Sequence, residues 1–144
     1  MRSSVDERIQ KYLNSEFEIG ESELIRETKK QLLEYLNGNR QVFELEYVLC
    51  GSDFQKQVWE ELAKIPFGKV NSYLELSNKI NNPKAIRAVA SANGANSLAI
   101  VIPCHRIIGQ DGKLVGYAGG LRIKQKLLSI EQKDLFSSNN IDIE

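Results

Sequence analysis

Residues 71–94 read NSYLELSNKINNPKAIRAVASANG, and the fold turns on this stretch. Ser72 with Glu75 three positions later is a capping-box pattern, so a short helix is expected from Tyr73 to about Ile80. Asn82 is expected to cap a second helix, with Pro83 in its first turn and an end near Asn93-Gly94. Two short helices separated by a tight turn are a helix-turn-helix candidate. On the second helix Ile86, Val89, Ala90 and Asn93 share one side, which predicts an inward face. Lys84, Arg87, Ala88 and Ser91 share the other, small and basic. Short side chains let backbone approach a nucleic-acid groove closely, while cations neutralise phosphate or fill the space of a base. A merely solvated surface would carry the same pattern.

Upstream, two helices are expected over roughly 6–14 and 22–37. In the second, Leu24, Ile25, Thr28, Leu32, Leu33 and Leu36 recur at helical spacing, and Asn37-Gly38-Asn39 supplies a stop. Residues 41–50 alternate as a strand would, with Phe43, Leu45, Tyr47 and Leu49 on one side. Gly51-Ser52-Asp53 then caps a helix whose stripe is Phe54, Val58, Trp59 and Leu62, lasting to Ile65. Pro66-Phe67-Gly68-Lys69-Val70 is a turn.

Downstream, Leu98-Ala99-Ile100-Val101-Ile102 reads as a buried strand or extended segment halted by Pro103. Residues 110–113 are a hairpin-like turn, and 115–120 a loop poor in side chains. A last helix over 121–131 is expected to bury Leu121, Ile123, Leu127 and Leu128 and to expose Arg122, Lys124 and Lys126. Residues 132–144 are polar and expected to fray. The expected architecture is α+β. A small abbreviated N-terminal α/β part, residues 1–52, packs on a mainly helical domain, 53–131, that contains the helix-turn-helix.

The chain has 144 residues, 42 % hydrophobic and 26 % charged, which is ordinary globular chemistry. No apolar run approaches ~20 residues, the length that spans a bilayer. The N-terminus turns acidic at once, so a cytoplasmic location is expected, nucleoid-associated in a prokaryote. A formal net charge of zero conceals an asymmetry. Residues 1–52 carry 7 basic against 10 acidic side chains, and 53–131 carry 11 against 6. A polyanion needs a positive face rather than a positive sum.

Two cysteines, Cys50 and Cys104, and one histidine, His105, make no zinc-ligand cluster, so neither metal nor cofactor is expected. Cys50 ends the alternating run 42–49 and reads as structural. Cys104 lies in Pro103-Cys104-His105-Arg106. A thiolate becomes reactive beside a base or a positive charge. In a regular strand His105 would point away from Cys104, but Pro103 indicates that the chain turns there. Glu131 is a candidate to orient the imidazole. On these residues alone, an inert buried thiol and a nucleophile are equally good readings.

From about Asp53 to Glu131 the chain resembles the O6-alkylguanine-DNA alkyltransferases. The resemblance rests on Phe54-Gln55 with Val58-Trp59, residues 65–70 with Ser72-Tyr73, residues 82–89, residues 102–107, and Gly119-Gly120-Leu121 with Lys124, Leu127-Leu128 and Glu131. It implies direct-reversal DNA repair by a suicide acceptor. Cys104 takes the alkyl group irreversibly from O6-alkylguanine in double-stranded DNA, with O4-alkylthymine as a second substrate, once per molecule. His105 acts through a water and is held by Glu131, while Tyr73 helps protonate the departing guanine. Asn96 ties the turn before the active-site segment. Lys84, Ala85, Arg87, Ala88, Ser91 and Arg106 are implied to contact DNA in the minor groove, with Arg87 replacing the flipped nucleotide. Tyr73, Ala99, Ile107, Tyr117 and Ala118 are implied to line the base pocket. A monomer is expected.

The chain departs from the pattern in a short N-terminal part, Ile86 where small residues are common, and Ala99 where a proline often stands. Three rivals make different demands. A non-catalytic relative replaces the acceptor cysteine, usually with tryptophan. A thiol hydrolase needs an oxyanion hole and leaves the basic helix unexplained. A helix-turn-helix regulator leaves Pro103–Arg106 unexplained.

Overall fold

A computed structural model describes residues 3–132. In chain order the elements are α1 (Ser3–Leu13), α2 (Glu23–Leu36), α3 (Asp53–Ala63), β1 (Asn71–Ser72), α4 (Tyr73–Lys79), α5 (Ile86–Gly94), a 3₁₀ turn (Cys104–Arg106), β2 (Ile107–Ile108) and α6 (Leu121–Glu131). The α+β fold is mainly helical, and β1 pairs in parallel with β2, Asn71 opposite Ile107. That pairing brings the start of α4 beside the segment that carries Cys104. Among the described residues no helix is long and apolar enough to cross a membrane.

Three helices build the core. Val58, Trp59 and Leu62 of α3 meet Leu76 of α4 and Val89 and Ala92 of α5, closed by Ile102 and Ile107. Ser52 caps α3 and Ser72 caps α4, each in a reciprocal capping box with Gln55 and Glu75. The Trp59 indole donates to the Ala92 carbonyl at 2.8 Å. Gly51 sits so close that a Cβ there would meet the Trp59 ring at 2.5 Å. From α1, Arg8 reaches the Ala95 carbonyl at 2.7 Å with its guanidinium over the Trp59 ring.

Several expectations fail, each for a local reason. On α2 the leucine stripe is largely exposed, with Leu24, Ile25, Leu33 and Leu36 all open to solvent. Gln31 and Tyr35, one helical turn apart, face inward instead, Tyr35 onto the Phe43 and Phe67 rings and Gln31 onto the Glu44 backbone. The Gln31 amide donates to the Glu44 carbonyl at 3.1 Å and accepts from its N–H at 2.9 Å. Residues 41–50 form no strand, a side chain supplying what a ladder would.

The second helix of the pair begins at Ile86, not at Asn82, because Asn82–Ala85 form a turn closed by Ala85 N–H to Asn82 O at 3.0 Å. Ile86 lies outside the core, and Ala92 takes the inward place expected of it. Leu98–Ile102 is a turn rather than a strand, with Ile102 N–H donating to Leu98 O at 2.9 Å and Ile100 at φ +74°. A β-branched residue in that region is strained by about 1–3 kcal/mol. On α6, Ile123 is exposed and Lys124 is fully buried, the reverse of their hydropathy. Beyond Gln132 the polar tail lies outside the described residues.

Candidate active site

Ile102 and Pro103 set the local geometry. Cys104 N–H donates to Ile102 O at 2.8 Å across Pro103, whose φ of −82° and ψ of 63° make an inverse γ-turn. The chain then winds into one 3₁₀ turn, in which consecutive side chains fan around the axis rather than alternating. Cys104 and His105 thus escape the strand geometry that would have separated them. Asn96 fixes the approach, donating to Ile102 O at 2.9 Å and accepting from Leu98 N–H at 3.0 Å.

Cys104 opens onto a cleft of about 470 Å³, within the roughly 300–1,000 Å³ of small-molecule sites. Tyr73, Asn96 and Ala99 line it, as do Tyr117 and Ala118, so five expected residues meet there. The remaining wall comes from Ala90, Asn93 and Gly94 of α5 with Gly116 and Gly119. Ile107 does not belong to the wall. Its side chain is fully buried in the core, and its backbone lies in β2. Burial raises the Tyr73 hydroxyl above its ordinary value, an effect the Asn93 carboxamide partly offsets. Tyr117 is pushed up to about 12 by burial and the neighbouring thiol. Both hydroxyls stay protonated at neutral pH.

Behind Cys104 lies a buried polar network. His105 is fully buried, and its Nε2 lies 2.9 Å from Glu131 Oε1. A carboxylate only accepts, so Nε2 carries the proton in the neutral ring and Nδ1 is the basic nitrogen. Nδ1 has no hydrogen-bond partner among the described residues. Burial pushes His105 below its ordinary value, while Glu131 pulls the other way. Burial alone would raise Glu131, but hydrogen bonds from His105 and Arg106 outweigh it and hold the carboxyl down to about 2.

Arg106 corrects an expectation. It is 6 % exposed and spans Glu131, with Nη2 at 2.8 Å from Oε1 and Nε at 2.9 Å from Oε2, while Nη1 donates to Ile65 O. A buried guanidinium committed to a carboxylate is not available to a phosphate. Lys84, Arg87, Ala88 and Ser91 are exposed and Ala85 half-buried in the turn before α5. Arg87 lies one helical turn before Ala90 and Ser91, on the stripe that leads to the cleft wall.

Two residues at the site escaped the sequence reading. Tyr35 of α2 donates to Glu131 Oε1 at 2.7 Å. Its one signal in the sequence was the inward pair with Gln31, opposite the leucines. Lys124 Nζ donates to the carbonyls of Val115 at 2.6 Å and Gly116 at 3.3 Å, tethering the cleft loop. Burial pushes it down to about 8, an effect that the nearby Cys104 partly offsets.

Fold and site define a class: a cysteine at a cleft on a mainly helical domain, with a buried histidine–carboxylate pair behind it. Residues 53–133 match the model of the 6-O-methylguanine DNA methyltransferase DNA-binding domain. A methylated-DNA–protein-cysteine methyltransferase of Methanosarcina barkeri is 47 % identical over 117 residues, 81 % of this chain and 74 % of the relative. The structure of Mycobacterium tuberculosis OGT in complex with DNA superposes with a TM-score of 0.74 at 45 % identity, covering 76 % of this chain and 68 % of that one. The O6-methylguanine-DNA methyltransferase of Pyrococcus kodakaraensis gives 0.70 at 28 % identity, covering 90 % and 75 %. The chain belongs to the 6-O-methylguanine DNA methyltransferase family.

Proposed function

We propose that this protein repairs DNA by direct reversal, moving the alkyl group of O6-alkylguanine, and of O4-alkylthymine, onto Cys104 once per molecule. The observation that carries the reading is Cys104 at the cleft with His105 and Glu131 joined at 2.9 Å behind it. In the transfer the Cys104 Sγ–carbon bond forms as the carbon–O6 bond breaks. The thiol proton passes through a water to His105, whose imidazolium is stabilised by Glu131. Tyr73, half-buried at the cleft, donates a proton to the departing base and recovers one from solvent. Neutral guanine leaves far more readily than its anion. The carbon–sulfur bond of the thioether is stable in water and is not cleaved by thiols, so the acceptor is consumed.

The base must leave the duplex to reach a buried thiol, at a cost of a few kcal/mol. In this reading α4 and α5 form a helix-turn-helix that enters the minor groove. Lys84, Ala85, Ala88 and Ser91 meet the backbone and Arg87 occupies the vacated space. Tyr117 and Ala118 close over the base. Residues 53–131 form the acceptor domain, with 1–52 as its N-terminal companion. The protein acts as a cytoplasmic monomer. Arg87→Ala is expected to slow transfer from duplex about tenfold, as loss of part of that extrusion energy requires. Reaction with the free base O6-methylguanine should be unchanged, since nothing is extruded. Equal slowing of both would remove Arg87 from this role.

Intact mass after incubation with a duplex containing O6-methylguanine tests the whole reading. One added methylene on the Cys104 peptide is expected. Unmodified protein, or turnover without an adduct, would overturn it.

A further inference from the structure

Tyr35 belongs to α2, outside the segment that carries Cys104 and His105, yet it is fully buried against their network. Its ring packs on Phe43 at 5.5 Å and edge-on to Phe67 at 6.2 Å, so its hydroxyl is aimed rather than free. That hydroxyl lies 2.7 Å from Glu131 Oε1 and 3.4 Å from His105 Nε2. Oε1 therefore takes donors from Tyr35, His105 and Arg106 at once.

We propose that Tyr35 is a positioning residue of the acceptor site, its hydroxyl orienting Glu131 and sharing Oε1 so that His105 keeps its proton on Nε2 and stays neutral. The inference rests on the alkyl-transfer reading for its consequence, but not for its geometry. A carboxylate oxygen divided among three donors gives less to each. Without Tyr35, Oε1 turns more fully to His105, favouring the imidazolium and withdrawing the base that accepts the thiol proton. The charged and titratable groups bearing on His105 are Glu131, Arg106 and Lys124, with Tyr35 on Nε2 and the Cys104 thiol as its chain neighbour. Arg106 and Lys124 oppose imidazolium formation and Glu131 favours it. Tyr35 moderates the one group that pulls toward protonation. Burial and the Glu131 carboxylate both raise the Tyr35 hydroxyl, so it remains a donor wherever the protein is folded.

His105 is the chain's only histidine, so a ¹⁵N-edited titration of the imidazole needs no assignment. The unmodified protein should show the Nε2–H tautomer at neutral pH. Tyr35→Phe keeps the ring and is expected to raise the His105 midpoint by about half to one pH unit, within the worth of one hydrogen bond to a charged group. The acid limb of the transfer rate should move with it, giving about three- to tenfold slower transfer below the limb and little change above. Placing 3-fluorotyrosine at position 35, a stronger donor of nearly the same shape, should shift the midpoint the opposite way. Midpoints unmoved in both proteins, with any rate loss uniform across pH, would overturn the proposal and leave Tyr35 as packing. A protein that transfers no alkyl group at all would sink the repair reading, while the imidazole titration still decides the role of Tyr35.

Discussion

Cys104→Ser is expected to abolish alkyl transfer while leaving the fold and duplex binding in place. The exchange replaces sulfur by oxygen on a side chain only 6 % exposed, so volume changes little and no charge is created or stranded. What disappears is the accessible anion. A thiol yields its proton to a histidine near neutral pH, whereas an alcohol does so only when further activated. The residues assigned to DNA, Lys84, Ala85, Arg87, Ala88 and Ser91, lie in α5 and the turn before it, outside the cleft wall that Cys104 shares. Incubation of Cys104→Ser with the alkylated duplex should therefore give unmodified mass and retained binding in a gel-shift titration. A mass increment in this variant would move the acceptor elsewhere, with buried Cys50 the other thiol to test.

Glu131 is expected to produce the largest loss of stability. Its carboxylate is fully buried and accepts from Tyr35, His105 and Arg106, with the Gly68 N–H at 3.4 Å. Glu131→Ala leaves a buried guanidinium without its counter-charge, which costs about 3–5 kcal/mol. The urea midpoint should fall accordingly. Glu131→Gln keeps the shape and loses the charge, so the imidazolium formed in transfer goes unsupported and the rate should drop about 100-fold. A rate like that of the unaltered protein would exclude the carboxylate from the relay.

The same group sets the acid limit of the fold. Glu131 is held at about 2 against an ordinary 4.5, so its contribution is complete above 4.5 and is lost as pH falls toward 2. His105 acts in the same sense from higher pH. Burial lowers it below 6.5, so the unfolded chain takes up that proton first. Stability should decline from about pH 6.5 downward, steepening below 4.5. In Glu131→Gln the lower part of that decline should be absent.

Local chemistry was readable where neighbours in sequence determine structure. Ser72 with Glu75 places a helix start, and Gly68 at φ +79° completes the Pro66–Lys69 turn that its residues announce. The core stripe Val58, Trp59 and Leu62 needs only helical period and hydropathy. The same rules misread α2, because its inward face is made by Gln31 and Tyr35, whose polar ends reach the Glu44 backbone and the Glu131 carboxylate, rather than by its leucines. Lys124 failed likewise. Its charge marks it as exposed until the carbonyls of a loop with few side chains require a donor.

For the site, the sequence by itself singled out Cys104, His105 and Glu131 as candidates, and the family resemblance supplied the roles expected of them. These are residue identities in a specific order, which no distant part of the chain alters. Only the tertiary structure decided what each of them faces. It turned Arg106 from the DNA surface into the ion pair that neutralises Glu131, withdrew Ile107 into the core, and brought Tyr35 across from α2 to the same carboxylate oxygen. The physical reason is common to all three. A buried charge must be satisfied by whatever donors the packing brings within about 3 Å, and contacts of that kind are set in space rather than along the chain.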